Sequence, residues 1–167
     1  SAVRELMPFR HVIPTHQGRA AERILFGAMV QAGDVVPNNT HFDTTRANIE
    51  ARGGVALDLP IPEGRQPSIA HPFKGNIDLA ALEQTLIEHA GRVPLVMYTV
   101  TNNSGGGQPA SLENLRGARA ICRQHGVPLF LDATRISENA VFVKDREPGW
   151  SNRSLPEIIR AIADLSD

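Results

Sequence analysis

The chain is poor in cysteine, in lysine and in net charge, and each shortage excludes something. Cys122 is the single cysteine among 167 residues. No internal disulfide can form, which fits a reducing, cytoplasmic setting. Cys122 falls on the apolar face of a predicted helix and reads as a core residue, not a nucleophile. The formal net charge is -1, which gives no electrostatic case for nucleic acid or an anionic membrane as a partner. No apolar run approaches membrane-spanning length, and the first residues lack the basic-then-apolar pattern of a secretion signal. Lysine occurs only at Lys74 and Lys144, so chemistry that needs a lysine amine has two candidates. Lys74 lies in a loop flanked by proline and glycine, and Lys144 follows Phe142-Val143 on a predicted helix surface. Both read as solvated charges. His11, His16, His41, His71, His89 and His125 show no ligand spacing joined to a third ligand, so no metal site is expected.

With 41% hydrophobic and 21% charged residues, the chain suits one domain with a real core and is too short for two comfortable ones. Residues 34–37, 55–59, 95–100 and 129–132 read as strands. A helix is predicted over residues 20–30, with Ala21, Ile24, Leu25 and Ala28 sharing one face, and Gly33 ends it. Asp78 caps a second over 79–90, with Leu79, Leu82, Leu86 and Ile87 inward and Gly91 as its stop. Ser111 opens a third, with Leu112, Leu115, Ala118 and Cys122 inward, ended by Gly126. A short helix over 137–146 follows, and the capping box Ser154-Leu155-Pro156-Glu157 opens a last one through about Leu165. Residues 1–16 read as irregular and 38–46 as a polar loop. Residues 60–76, with four prolines and two glycines, read as an extended excursion. The connections are too long for hairpins, so the expected fold is α/β: three layers, a mainly parallel sheet with helices on both faces.

Two stretches carry chemistry in that frame. The apolar run Leu129-Phe130-Leu131 ends on Asp132, and ligands of open α/β sheets bind beyond the carboxyl ends of the strands. A carboxylate there can hold a proton on a heteroaromatic nitrogen, although a capping role accounts for Asp132 taken alone. Gln17-Gly18-Arg19 opens the first long helix, placing backbone N–H groups, an unhindered glycine and a guanidinium at its positive end. That is a phosphate seat, and the alternative is a flexible turn with a solvated arginine. Phe42, the one aromatic of its loop, either stacks on a planar ring or plugs the core, and the local pattern favours the plug.

Five blocks occur in order: Thr15-His16-Gln17-Gly18-Arg19, Phe42-Asp43-Thr44-Thr45-Arg46, Phe73-Lys74-Gly75-Asn76, Asn103-Ser104-Gly105-Gly106-Gly107-Gln108-Pro109 and Asp132-Ala133-Thr134-Arg135. Together they resemble the pyridoxal-phosphate β-eliminating lyases, the family of the tryptophanases and tyrosine phenol-lyases, from about Pro14 to the last residue. The resemblance implies the large domain of the aspartate-aminotransferase-like fold (fold type I). It implies pyridoxal 5'-phosphate as cofactor, with Gln17, Gly18 and Arg19 on its phosphate and Phe42 on its ring, the reverse of the local preference. Asn103 would reach the ring's phenolic oxygen and the substrate carboxylate, and Asp132 the ring nitrogen. Arg135 would lie near the phenolic oxygen, and Thr134 joins the cofactor-binding set. Asp43 resembles the tryptophanase side, where it would assist proton transfer at the indole ring as a catalytic and substrate-binding group.

The family's Schiff-base lysine motif has no match in the chain, and neither its small domain nor its monovalent-cation ligands are found. Residues 1–167 are therefore expected to be a single partial domain of a larger enzyme, inactive alone. The parent would release indole, pyruvate and ammonia from L-tryptophan, with an aromatic L-amino acid as partner, potassium as a monovalent cation and a homotetrameric, cytoplasmic state. The alternatives are tyrosine phenol-lyase-like elimination and a non-catalytic cofactor-binding or self-associating fragment. A threonine-aldolase-like enzyme shares the ring-nitrogen aspartate but not the five-block pattern.

Overall fold

Four short apolar runs form the strands that the sequence predicts: β1 (Val35–Asn38), β2 (Val55–Asp58), β3 (Val96–Thr99) and β4 (Leu129–Asp132). The computed structural model describes residues 2–167. β1 and β2 pair in parallel with Asn38 level with Asp58, and β3 and β4 pair in parallel with Thr99 level with Asp132. β1 lies beside β3, and side chains join the two ladders. Asn39 Nδ2 donates to Thr99 O at 2.9 Å, and Thr99 N donates to Asn39 Oδ1 at 2.9 Å. The strands thus stand in the order β2-β1-β3-β4 with their carboxyl ends at one edge.

Alternate strand residues feed two cores, one on each face of the sheet. Phe26, Val30, Val36, Ile49, Ala56, Leu95 and Met97 form one, under α2 (Gly18–Met29) and α3 (Asp43–Glu50). Val35, Val96, Tyr98, Leu129 and their neighbours form the other, under α4 (Leu79–Glu88), α5 (Leu112–His125), α6 (Ile136–Arg146) and α7 (Leu155–Ala163). The three-layer reading holds.

The helix ends follow their local chemistry. Asp78 accepts from Ala81 N and Ser111 from Asn114 N, and the box of Ser154 with Glu157 is complete. Gly126 closes α5 in the left-handed region, at φ 67°. Cys122 is fully buried, and burial pushes its thiol up to about 12. The 60–76 excursion carries a 3-10 turn over Pro62–Arg65, and a bridge between Pro60 and Ile77 closes its ends.

Four expectations need correction. α1 (Ala2–Leu6) is a short helix in the stretch read as irregular, of which residue 1 lies outside the described residues. Residues 43–46 are the first turn of α3, not loop. Its polar, threonine-bearing sequence hides it, because only Thr45 and Ile49 of α3 are buried and no apolar stripe marks the helix. The face of α2 is also rotated: Phe26 and Val30 are buried, whereas Ala21, Ile24 and Ala28 are exposed, Ile24 at 64%. On α4, Leu82 and Leu86 pack inward but Ile87 points out at 61% exposure. Spacing tells which side chains share a face, and it does not tell which face the sheet covers.

Candidate active site

The strand ends, the start of α2 and the start of α3 enclose a cleft of about 670 Å³. Gln17, Gly18, Arg19, Phe42, Asn103, Asp132, Thr134 and Arg135 all line it. Residues separated by more than a hundred positions in sequence are thereby brought to one cavity, with the 17–19 turn and Asp132 on the same side of the sheet.

The α2 end leaves backbone donors free at the cleft. Gln17 is its N-cap and makes no side-chain cap bond. The backbone bonds of this turn run from Ala20 and Ala21 to Gln17 O, so the Gly18 and Arg19 N–H groups have no backbone partner in it. A Cβ at Gly18 would meet nothing within 4 Å, so the space around this turn is open. Such an end attracts negative charge through its free N–H groups and aligned peptide dipoles.

The β4 end is acidic and oriented. Asp132 Oδ1 accepts from Thr134 N at 3.1 Å and from Thr134 Oγ1 at 2.6 Å. Both lone pairs of that oxygen are engaged, and Oδ2 has no hydrogen bond among the described residues. Arg135 donates to Asn103 Oδ1, which joins the two residues expected at one edge of a bound ring. Phe42 lies on the wall at 38% exposure. It is no core plug, and the local reading of it is corrected.

The structure also separates some candidates. Asp43 is exposed in the first turn of α3 and is not part of the cleft wall. His16 does not line it either. Lys74 Nζ donates to Gln66 O at 2.7 Å and Pro67 O at 3.3 Å, and Lys144 Nζ donates to Arg153 O. Neither lysine reaches the cleft. Among the described residues, no three His, Cys, Asp or Glu side chains are grouped as a metal ion requires. No helix among them is long and apolar enough to cross a membrane.

Sequence reasoning missed Glu22, Thr45, Thr99 and Thr101, which also line the cleft. Glu22 accepts from Thr45 Oγ1, from Thr44 Oγ1 at 3.4 Å and from Asn48 Nδ2 at 3.3 Å. It thereby ties α2 to α3 across the cleft mouth. Its spacing of three from Arg19 puts both on one side of the helix, a signal that was available.

An open parallel sheet with a cleft at its carboxyl edge is where α/β proteins bind their ligands, and the fold aligns with solved pyridoxal-phosphate-bound enzymes. A SepCysS–SepCysE N-terminal domain complex aligns with a TM-score of 0.62 over 86% of this chain and 38% of that one, at 18% identity. A C–S lyase from Staphylococcus hominis aligns with a TM-score of 0.57 over 77% of this chain and 32% of that one, at 15% identity. At these identities the likeness concerns the fold. Sequence carries the assignment further. The beta-eliminating lyase family model matches residues 1–167, and the chain belongs to that family. It is 59% identical to a tryptophanase of Hyphomonas neptunium over 100% of this chain and 37% of the relative. To a tryptophanase of Salinibacter ruber it is 59% identical over 99% of this chain and 35% of the relative. A tyrosine phenol-lyase of Symbiobacterium thermophilum is 42% identical over 99% of this chain and 36% of the relative. The chain thus spans little more than a third of the length of these relatives.

Proposed function

We propose that this chain is the cofactor-bearing part of a pyridoxal-phosphate-dependent carbon–carbon lyase of tryptophanase type, which splits L-tryptophan with water into indole, pyruvate and ammonia. The observation that carries the reading is the pairing of an anion seat at Gln17, Gly18 and Arg19 with an oriented carboxylate, Asp132, in one cleft.

The donor set fits the cofactor. Arg19 and the free N–H groups of α2 suit a phosphate, Phe42 offers a flat face, and Asp132 suits a protonated ring nitrogen. Bound there, pyridoxal phosphate supplies an electron sink for the pair released at the substrate α-carbon. Asp132 would hold the proton of the ring nitrogen, with Thr134 keeping the carboxylate from rotating. Arg135 and Asn103, already joined to each other, would act together at the ring's oxygen, and Asn103 would also address the substrate carboxylate. Asp43 stands one residue beyond Phe42, outside the wall, and would act on a substrate ring that projects past the phenylalanine. Higher identity to tryptophanases than to tyrosine phenol-lyases supports the choice of L-tryptophan over L-tyrosine. The monovalent cation, the homotetramer and the cytoplasmic location come from the family resemblance alone.

Pyridoxamine 5'-phosphate tests the reading, because it has the ring and phosphate but no aldehyde to react with stray amines. Wild-type protein is expected to bind it, and Arg19→Gln and Asp132→Asn each to weaken binding about tenfold or more, as loss of a charged hydrogen bond does. Equal binding by all three proteins, or none by wild type, removes the proposal. No lysine lines the cleft, so the chain by itself should release no indole from L-tryptophan; sustained release would contradict the role given to it here.

A further inference from the structure

Beside the cleft, at the end of β1, one side chain is buried and held from several directions. The His41 side chain has 0% exposure, and its Nδ1 lies 2.7 Å from Asp58 Oδ1. The His41 backbone N–H donates to the same oxygen at 2.9 Å. Asp58 Oδ2 accepts from Arg46 Nη2 at 2.6 Å, while Arg46 Nη1 donates to Ala56 O at 2.9 Å. The His41 carbonyl accepts from Ser104 Oγ at 2.8 Å. His41 is therefore tied directly to the end of β2 and to the loop after β3, and through Asp58 to Arg46 of α3.

Burial pushes the Asp58 carboxyl up, but the hydrogen bonds from the His41 side chain and backbone, with the charge of Arg46, outweigh it and hold it below the usual range. An ionised Asp58 selects the imidazole form that carries its proton on Nδ1. Nε2 is then buried with no hydrogen-bond partner among the described residues, a cost of a kind that an apolar side chain at this position would not carry. The next residue is Phe42, the N-cap of α3, which makes no side-chain cap bond and leaves part of its ring exposed on the cleft wall.

We infer that His41 is a positioning residue for Phe42: the Asp58–His41 pair, braced by Arg46, fixes the backbone on which the cleft's aromatic wall stands. The inference rests on the reading in which Phe42 meets the cofactor ring. A stacking surface must be held to a fraction of an ångström, and Phe42, 38% exposed on the cleft wall, depends on its backbone for part of that. The Nδ1 end of the imidazole does the holding, and the Nε2 end does not.

Two variants separate those ends. Asparagine puts its amide nitrogen where Nδ1 stands, whereas glutamine puts it nearer Nε2. His41→Asn should keep wild-type affinity for pyridoxamine 5'-phosphate and the induced circular dichroism of its ring band. His41→Gln should bind about tenfold more weakly and lose most of that band at saturation. A role in stability alone would lower the melting temperature and leave the band of the saturated protein unchanged, which would overturn the inference. A second arm needs no cofactor. With 13C-labelled phenylalanine, the Phe42 ring signal should match wild type in His41→Asn and be displaced or broadened in His41→Gln. An unmoved Phe42 signal in folded His41→Gln also overturns the inference. Failure of wild-type protein to bind pyridoxamine 5'-phosphate counts against the proposed function and leaves this second arm intact. If His41→Gln does not fold, Arg46→Gln, on a side chain 36% exposed, takes its place with the same expected readouts.

Discussion

The side-chain amide of Asn39 bonds to both backbone groups of Thr99: its oxygen accepts from Thr99 N and its nitrogen donates to Thr99 O, each at 2.9 Å. An amide has the donor and acceptor of a peptide unit, so Asn39 takes the place of a strand residue where the β1 and β3 backbones do not pair. The same nitrogen donates to Gly75 O at 2.7 Å. Thr99 also lines the cleft, so the contact that joins the two ladders lies at the edge of the site.

Asn39→Ala should therefore destabilise the protein by about 3 kcal/mol, since it leaves buried backbone groups unpaired. Chemical denaturation measures it. A loss below about 0.5 kcal/mol, the size of an ordinary surface change, would mean that the two ladders are joined by other contacts.

Gly75 is the other closure of the site's frame. A Cβ there would stand 2.3 Å from Gln108 O and 2.8 Å from Pro109 O, and Gly75 N already donates to Pro109 O at 2.9 Å. The obstacles are backbone atoms that cannot rotate away. Gly75→Ala is expected to cost about 2–3 kcal/mol by overpacking, seen as a lower denaturation midpoint. An unchanged midpoint would show that residues 73–76 are free to shift away from the 108–109 segment.

Asp58 makes stability depend on acid. Its folded carboxyl titrates below the ordinary value of 3.8, so the unfolded chain takes up the proton first as pH falls. The contribution is whole above 3.8 and is lost as pH drops from there through the folded value. Wild-type protein should lose stability over that window more steeply than Asp58→Asn, as followed by denaturant midpoints against pH. Parallel curves would mean that the Asp58 contacts add nothing in solution.

Much of the site was legible because its chemistry is local. Gln17-Gly18-Arg19 announces a helix start, and Asp132 closes an apolar strand, so each could be placed before any contact was known. Two kinds of information were not local. The burial of Phe26 instead of Ile24 depends on which side of α2 the sheet occupies, a matter of tertiary packing. α3 is tied to α2 by Glu22, whose partners Thr44, Thr45 and Asn48 lie more than twenty residues further on, beyond the reach of any helical period. His41 is hidden for the same reason, since Asp58 and Ser104 come from other strands' ends.

The engagement of Asp132 by Thr134 limits what the cleft can select. With one oxygen saturated, the acid presents a single vacant acceptor, so it matches a guest that brings one acidic N–H. A guest with two parallel donors, such as an amidine, finds only half of its complement there. Selection at the end of β4 would thus turn on which of the two carboxylate oxygens is left open.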